Sequence, residues 1–228
     1  STTTTTRPAA TATTTTTTKV PPTTAAPTTT APAAPAPPVA PSSNPADDAG
    51  WKRLQLGAGG FVNGIDAADD GSTLPARADT AGGYRWAPAG NRWIQLVTAA
   101  SMPVEDRNTE ISSGVWELLV APSLPTRAYM AYGGAVYRSD DRGDHWTKTS
   151  QRLTLDANDP ARVNGGRMGV DPANPDVVYL GTTDGLWRTV DGGTSWTKVP
   201  ETSVPKGTTT DGSAMTGIAF DRSSGTVG

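Results

Sequence analysis

The fold is decided by the stretch Asp184-Gly-Leu-Trp-Arg-Thr-Val-Asp-Gly-Gly-Thr-Ser-Trp-Thr-Lys-Val199, because the same pattern recurs upstream at a fixed period. One copy earlier stands Gly134-Ala-Val-Tyr-Arg-Ser-Asp-Asp-Arg-Gly-Asp-His-Trp-Thr-Lys148, and a divergent copy runs from Gly83 to Leu96. The closing tryptophans of the three copies, at intervals of 53 and 50 residues, are Trp93, Trp146 and Trp196. A period near 50 with several short strands per unit is typical of β-propeller blades, whereas helical repeats show a 3.6-residue apolar rhythm that is not seen here. The sequence therefore predicts an all-β repeat protein.

Two copies share the core Ser/Thr-x-Asp-x-Gly-x-x-Trp, whose chemistry suits the turn of a β-hairpin. Asp141 and Asp191 can accept hydrogen bonds from nearby backbone N–H groups, and the Gly two positions later permits a positive φ. The Trp at the end of the core can then pack back into the blade. This core resembles the Asp-box, or bacterial neuraminidase repeat, of secreted propellers. It predicts blade architecture, and we expect both Asp residues to be structural.

The composition favours one β-rich domain together with an unstructured segment, with 228 residues, 25 Gly, 20 Pro and 7 Trp. There is no Cys, so no disulfide framework exists. A formal net charge of −3 and a pI of about 5.1 provide no basic surface, and we expect no nucleic-acid partner. No apolar run reaches membrane-spanning length, so no membrane partner is expected either.

Residues 1–50 are almost entirely Thr, Pro and Ala, with Arg7 and Lys19 as the only cations. Such a segment cannot bury enough apolar surface to offset its ordering entropy, so it is predicted to be a disordered linker. Thr/Pro-rich linkers commonly join modules of secreted polysaccharide-degrading proteins. We therefore expect an extracellular protein, and a carbohydrate-binding module upstream of the linker fits this organisation. The alternative is a disordered terminus of no special role.

Residues 51–228 are predicted to form the N-terminal part of a β-propeller, each unit being four short strands bounded by turn residues. The strand-like segment Trp51–Leu56 resembles the end of each repeat, and a ring would use it to complete its final blade. Three blades and a fraction cannot close a ring, so we expect the sequence to belong to a longer protein. The blades are predicted at about residues 57–98, 115–150 and 165–200, with the start of a further blade at 214–228.

One stretch near the start of the propeller resembles a known enzyme family. It reads Ala76-Arg-Ala-Asp-Thr-Ala-Gly-Gly-Tyr-Arg-Trp86, and Trp51-Lys52 and Gly59-Gly-Phe-Val-Asn-Gly-Ile65 precede it. These residues are similar to the N-terminus of glycoside hydrolase family 74, the xyloglucan-active endoglucanases and oligoxyloglucan hydrolases, which carries Arg-Thr-Asp-x-Gly-Gly-x-Tyr-Arg-Trp. The resemblance implies two seven-bladed propellers facing each other across a cleft, and hydrolysis with inversion at the anomeric carbon.

The resemblance assigns a catalytic role to Asp79, which aligns with the Asp of the Arg-Thr-Asp motif. That Asp is the family's general base, and an inverting enzyme needs such a carboxylate opposite a protonated carboxyl. The general acid is expected in the second propeller, outside this chain. By residue type alone, an Asp shortly before Gly82-Gly83 is more commonly a turn cap, so that alternative stays open.

The sequence also departs from the family pattern. Ala78 replaces the Thr of the motif, and Thr98–Ile111 replaces an Asp- and Trp-rich loop that would hold sugar-stacking residues. Tyr84, Trp86 and Trp116 are the candidate substrate-binding residues, because flat aromatic rings stack on pyranose faces. A Trp at a strand end is nevertheless more often part of a core. Core packing is expected for Trp93, Trp146 and Trp196.

Metal and cofactor sites are not predicted. His145 is the only histidine, stands beside Trp146 and has no candidate relay or metal partners. The remaining carboxylate cluster lacks the spacing of a calcium loop and fits a hairpin turn; it consists of Asp66, Asp69 and Asp70. A sialidase would need an arginine cluster with a Tyr/Glu pair, which we cannot assign.

Two functional hypotheses follow. The first is a secreted hydrolase that acts on the β-1,4-glucan backbone of xyloglucan-type plant cell-wall polysaccharide by an inverting mechanism with two Asp residues. In that case this chain alone is expected to be inactive, because its acid partner is absent and its ring is open. The alternative is a non-catalytic Asp-box propeller that binds cell-wall glycan or protein.

Overall fold

The computed structural model describes residues 56, 60–80, 82–107, 114–152, 166–205 and 217–221. All of them belong to one compact unit, residues 50–228. The predicted linker and most of the predicted strand Trp51–Leu56 lie outside the described residues. None of the helices among the described residues has the length and apolar character needed to span a bilayer.

Twelve strands in the described residues form three four-stranded antiparallel sheets. The first sheet contains β1 (Val62–Ile65), β2 (Pro75–Ala78), β3 (Gly83–Ala87) and β4 (Arg92–Gln95). The second contains β5 (Val115–Ala121), β6 (Leu124–Tyr132), β7 (Ala135–Ser139) and β8 (Thr147–Arg152). The third contains β9 (Met168–Val170), β10 (Val178–Thr182), β11 (Gly185–Thr189) and β12 (Thr197–Lys198). We call these sheets blades 1, 2 and 3.

Each blade is a simple meander, in which every strand pairs with the next strand in sequence. This order follows from short local hairpins; for example, Gly133 and Gly134 join β6 to β7 with φ values of 55° and 76°. Two consecutive residues with positive φ are what a tight two-residue hairpin requires. The prediction of an all-β fold with propeller-type blades is confirmed.

The apolar core lies between the blades. One cluster joins the end of blade 1 to blade 2 and includes Leu96, Met102 and Leu118. A second cluster joins blade 2 to blade 3 and includes Tyr129 and Leu180. A blade is only one layer of strands, so its two faces become buried only when neighbouring blades pack on them.

The repeated turns of blades 2 and 3, which we call the Asp turns, are residues 139–146 and 189–196. In the first, Ser139 Oγ donates to Asp141 Oδ1 at 2.7 Å and accepts from the Gly143 N–H at 2.8 Å, while the His145 N–H donates to Asp141 Oδ1 at 2.9 Å. In the second, equivalent bonds link Thr189, Asp191 and the N–H of Ser195. Both Asp side chains therefore hold a turn together, as the residue pattern predicts.

Each Asp turn also contacts the blade that precedes it. Trp146 is buried, and its Nε1 donates to the Leu96 carbonyl at 2.9 Å. A Cβ on Gly143 would lie 2.9 Å from Leu96 Cδ1, so glycine is needed for this close approach. Arg85 of blade 1 donates to the Arg142 carbonyl at 2.7 Å. In the same way, Arg138 of blade 2 donates to the carbonyl of Gly192 in the next turn at 3.3 Å.

Blade 1 has no Asp turn between its last two strands. Its β3–β4 connection is a short 3-10 segment, Pro88–Gly90, followed by Asn91 in the left-handed region with φ 46°. The rings of Trp86 and Trp93 pack edge to face there, with centroids 5.5 Å apart. Blade 1 therefore keeps the Trp of the repeat while its turn is closed by different residues.

Candidate active site

Asp79 lies on the hairpin that joins β2 to β3. Arg77 pairs with Gly83, so this hairpin has five residues outside the ladder, and the Ala78 N–H closes it on the Gly82 carbonyl at 3.0 Å. The equivalent hairpin of blade 2 has only the two residues 133 and 134. Blade 1 thus carries a longer hairpin at this position than blade 2 does, and the extra residues include Asp79.

The Asp79 carboxylate is held by the backbone just before β1. The Phe61 N–H donates to Asp79 Oδ1 at 2.7 Å, and the Asp79 N–H donates to the Phe61 carbonyl at 3.0 Å. Asp79 is only 7% exposed. A carboxylate fixed by a main-chain donor keeps its orientation without depending on a second flexible side chain.

Gly60 makes this arrangement sterically feasible. Its φ of +113° is a conformation that side-chain-bearing residues rarely adopt. A Cβ at this position would overlap Thr80 Oγ1 and would lie 3.3 Å from Asp79 Oδ1. The segment before β1 can therefore cover the hairpin only if residue 60 is glycine.

A buried polar network lies next to the hairpin and joins all three blades. Arg77 Nη1 is ion-paired with Glu117 Oε2, and Arg77 Nε donates to Asn63 Oδ1 at 3.2 Å. The other oxygen, Glu117 Oε1, accepts the Arg167 N–H at 2.7 Å. The side chains of Arg77 and Glu117 are 7% and 2% exposed. The network therefore connects the first strands of blades 1 and 2 with the segment that leads into β9.

Burial raises the pKa of the Glu117 carboxyl to about 7, although the Arg77 guanidinium and the Arg167 N–H favour its ionised form and lower it. The dominant cause is the removal of the charged carboxylate from water. Glu117 is thus a titratable group in contact with the strand that leads into the Asp79 hairpin, and both of its oxygens accept hydrogen bonds, from Arg77 and from the Arg167 N–H.

Sequence reasoning missed this network. The signal was present, because Glu117 is the one charged residue in the otherwise apolar strand Val115–Ala121. A charged residue inside such a strand needs a buried partner. The bulges at Val62/Gly64 and Val115/Glu117 interrupt the alternation of both first strands, so the partner could not be read from periodicity.

The structure does not bring the three predicted aromatic residues together around Asp79. Tyr84 is 2% exposed and Trp116 is 4% exposed, and Trp116 packs in the core between blades 2 and 3 under the Arg167 guanidinium, 4.8 Å from the ring centre. Both rings are buried in this conformation, and their role in substrate binding stays a prediction.

Trp86 is half-buried, but it lies at the far end of β3. Its N–H pairs with the Leu74 carbonyl, whereas Asp79 follows the opposite end of β2. Trp86 lies three residue steps along β3 from Gly83, which corresponds to about 10 Å. A role for Trp86 in substrate binding therefore stays a prediction, and its position is separate from the Asp79 hairpin.

Of the carboxylates that resembled a hairpin turn in the sequence, Asp70 makes a local contact, whereas Asp66 contacts blade 2. Asp66 Oδ2 accepts the Val120 N–H at 2.8 Å, and Asp70 Oδ1 accepts the Ser72 N–H at 2.9 Å. Within the described ranges, no group of three or more His, Cys, Asp or Glu side chains is arranged to hold a metal ion.

The chain is similar in sequence to xyloglucanases. The chain is 37% identical over 213 residues to a xyloglucanase of Paenibacillus sp, covering 84% of this chain and 20% of the relative. It is 32% identical over 202 residues to a xyloglucanase of Hypocrea jecorina, covering 78% of this chain and 24% of the relative. The chain is a relative of the family 74 glycoside hydrolases. The resemblance found in the sequence is thereby confirmed.

The fold is also similar to that of a family 74 enzyme. A crystal structure of the family 74 enzyme of Niastella koreensis matches with a TM-score of 0.55 and 32% identity, over 64% of this chain and 22% of that chain. No protein-family model matches the sequence. The chain spans about a fifth to a quarter of the length of the curated relatives it matches.

Proposed function

We propose that this chain is part of an extracellular glycoside hydrolase that cleaves the β-1,4-glucan backbone of xyloglucan-type plant cell-wall polysaccharide. The relatives named xyloglucanases support this substrate class. The Thr/Pro/Ala-rich residues 1–50 support secretion, because such linkers are common in modular polysaccharide-degrading proteins. The proposal concerns the complete protein, since its relatives are four to five times longer than the matched part.

The observation that carries the proposal is the held carboxylate of Asp79 on the long hairpin of blade 1. In an inverting hydrolysis, a water oxygen bonds to the anomeric carbon while the carboxylate takes a proton from that water. A carboxylic acid on the other side gives its proton to the departing sugar oxygen, so charge and protons balance. The Phe61 N–H, 2.7 Å from Asp79 Oδ1, would keep the base aimed during this step.

The general acid is proposed to lie outside this chain. Inverting enzymes place acid and base about 6.5–9.5 Å apart to leave room for the water. Glu117 is the buried carboxyl of raised pKa next to this hairpin, but its two oxygens are engaged by Arg77 and by the Arg167 N–H. It cannot donate a proton to a substrate without losing the buried ion pair, so a second propeller is the proposed source of the acid.

The test is hydrolysis of xyloglucan by the complete protein, followed by NMR of the first-formed anomer. We expect inversion in the wild type and a fall in kcat of about 10²–10⁴-fold in Asp79→Asn, because a general base typically contributes that much. Oligosaccharide binding and melting temperature should stay near wild type. The 228-residue chain alone should be inactive. Turnover retained by Asp79→Asn, or cleavage by this chain alone, would overturn the assignment.

The non-catalytic alternative also has an observation in its favour. Two of the three predicted sugar-stacking rings, Tyr84 and Trp116, are buried in the structure. A propeller that had lost its cleft would bind glycan or protein elsewhere on its surface. If the complete protein binds xyloglucan and releases no reducing ends, this alternative replaces the hydrolase.

A further inference from the structure

Glu117 contacts both Arg77, two residues before the proposed base, and the N–H of Arg167 in the segment entering blade 3. We infer that Glu117 is a positioning residue, which acts through Arg77 to hold strand β1 and thereby the Phe61 N–H against the Asp79 carboxylate. This inference deepens the proposed function and rests on it for its catalytic consequence. The geometry that carries it can be tested without catalysis.

Glu117 fixes the position of the Arg77 guanidinium. The guanidinium is paired with Glu117 Oε2. Arg77 belongs to β2, which ends immediately before Asp79. Glu117 therefore fixes a side chain on the strand that leads directly into the hairpin of the proposed base.

Arg77 in turn contacts strand β1. Arg77 Nε donates to Asn63 Oδ1 at 3.2 Å, and the guanidinium lies over Gly64, where a Cβ would be 2.6 Å from Arg77 Cζ. The absence of a side chain at Gly64 leaves the space that the guanidinium occupies. Arg77 thus reaches across β1 and fastens it to β2 through a side-chain contact in addition to the ladder.

The position of β1 determines where the backbone donor to Asp79 lies. β1 is one of the two edge strands of blade 1 and has only four residues, of which Val62 and Ile65 are 37% and 66% exposed. Its position therefore depends on few contacts. Phe61, whose N–H donates to Asp79, is the residue immediately before β1. A displacement of β1 would move this donor away from the carboxylate.

The bulges explain how a charged side chain comes to sit here. The register of β5 against β6 shifts between Val115 and Glu117, and that of β1 against β2 shifts between Val62 and Gly64. A bulge adds one residue to one strand and redirects the side chains next to it. Both first strands are therefore redirected at corresponding positions, which brings Asn63 and Glu117 to the same guanidinium.

The chain offers a matched control at the other end of the same strands. Asp66 Oδ2 accepts the Val120 N–H at 2.8 Å, and this bond also ties blade 1 to blade 2. It does not involve Arg77 or Asn63. Asp66→Asn should therefore weaken the contact between the blades without moving the Phe61 N–H.

The experiment uses the complete protein for kinetics and this chain for NMR. In Glu117→Gln, we expect kcat on xyloglucan to fall by about 10–10²-fold with little change in KM, because small misplacements of a reacting group have effects of this size. The pH profile of kcat should change as well. Asp66→Asn should keep wild-type kcat and pH profile even if its melting temperature falls. Wild-type kinetics in Glu117→Gln would overturn the inference.

A double variant separates positioning from stability. Replacing a buried ion pair by apolar residues is often neutral or stabilising, so Arg77→Met/Glu117→Leu should recover most of the melting temperature lost in Glu117→Gln. It should not recover kcat, because the Arg77–Asn63 contact remains absent. Recovery of both quantities would show a purely structural role for Glu117 and would overturn the inference. If Glu117→Gln does not fold, the double variant carries the test alone.

The NMR arm keeps this inference distinct from the proposed function. In this chain, the Phe61 amide should be protected from hydrogen exchange by its bond to Asp79 Oδ1, and that protection should be lost in Glu117→Gln while it persists in Asp66→Asn. A complete wild-type protein that hydrolyses no β-glucan would refute the proposed function and leave this result interpretable. A Phe61 amide that is unchanged in Glu117→Gln would refute the positioning role, whatever the activity.

Discussion

Asp79 and Asp184 occupy similar places in blades 1 and 3, each in the turn that follows the second strand of its blade. Asp79 is 7% exposed and bonded to the backbone of Phe61. The Asp184 side chain is 61% exposed and paired with Lys198 at 3.2 Å. The repeat therefore provides the position, and the length of the hairpin together with the segment that covers it decides whether an Asp there becomes a held carboxylate or an ordinary surface charge.

The comparison teaches that a repeat can be specialised without changing its sheet. Blades 1 and 3 have the same strand order and the same antiparallel pairing. Blade 1 differs by a hairpin of five residues and by the glycine at position 60, which lets the backbone approach it. Function is placed on loops held by a rigid scaffold, and here the specialised loop is also buried.

After the loss of the Asp79 carboxylate itself, the largest expected effect comes from displacing the backbone segment that covers the hairpin. Gly60→Ala should lower kcat of the complete protein by roughly 10²-fold, because the new Cβ would push Thr80 and Asp79 away from the Phe61 N–H. Gly71→Ala is the matched control, since Gly71 also has a positive φ, +69°, but no atom lies within 4 Å of its Cβ position. Equal losses of kcat in the two variants would contradict the prediction.

A smaller effect is expected from the structural Asp of blade 2. Asp141→Ala should lower the free energy of unfolding by about 1–3 kcal/mol, because it leaves the His145 N–H and the Ser139 hydroxyl without their acceptor. Thermal unfolding measures the loss. Hydrolysis by the complete protein, assayed well below the melting temperature, should stay at wild type. A loss of activity at an unchanged melting temperature would assign Asp141 to the site.

Asp191, in the Asp turn of blade 3, should contribute to the dependence of folding stability on pH in acid. The Ser195 hydroxyl and N–H hold the pKa of Asp191 at about 2, below its usual value of 3.8. A depressed folded-state pKa adds stability that is fully present above pH 3.8 and is lost as pH falls towards 2. Acid titration should therefore show a smaller loss of stability between pH 4 and 2 in Asp191→Asn than in the wild type. Parallel curves would exclude this contribution.

The smallest effect is expected at the surface counterpart of Asp79. Asp184→Asn removes an exposed ion pair with Lys198, and such pairs contribute little. We expect no measurable change in melting temperature and none in the kcat of the complete protein. A clear loss of activity would show that Asp184 has a role in catalysis, and that burial does not distinguish Asp79 from Asp184 in function.

Much of the fold could be predicted from the sequence, because its determinants are local. The pattern around Asp141 and Asp191 sets hairpins through contacts within five residues, and alternation of apolar residues sets the strands. The place of Asp79 on a hairpin was also predicted. What could not be predicted is the contact of Glu117 with Arg77, since the two are 40 residues apart and meet only because two bulges redirect their strands.

The burial of the aromatic residues could not be predicted from the sequence either. Their ring chemistry suggested sugar platforms, but exposure is decided by the packing of one blade on another, which sequence periodicity does not report. Trp116 is covered because Met168 and Leu180 of blade 3 lie in the same core cluster. Tyr84 is covered although it is only five residues from Asp79.

The Asp turns have a consequence for the order in which the chain acquires structure during synthesis. Arg85 and Leu96 of blade 1 find their partners in the turn at residues 139–146, and Arg138 of blade 2 finds its partner at Gly192. These contacts can therefore form only after ~50 further residues have been synthesised, about 3–10 s at ordinary elongation rates. During that interval the backbone carbonyl of Leu96 and the guanidinium groups of Arg85 and Arg138 are without these partners. Blades 1 and 2 are thus each completed by contacts with the blade made after them.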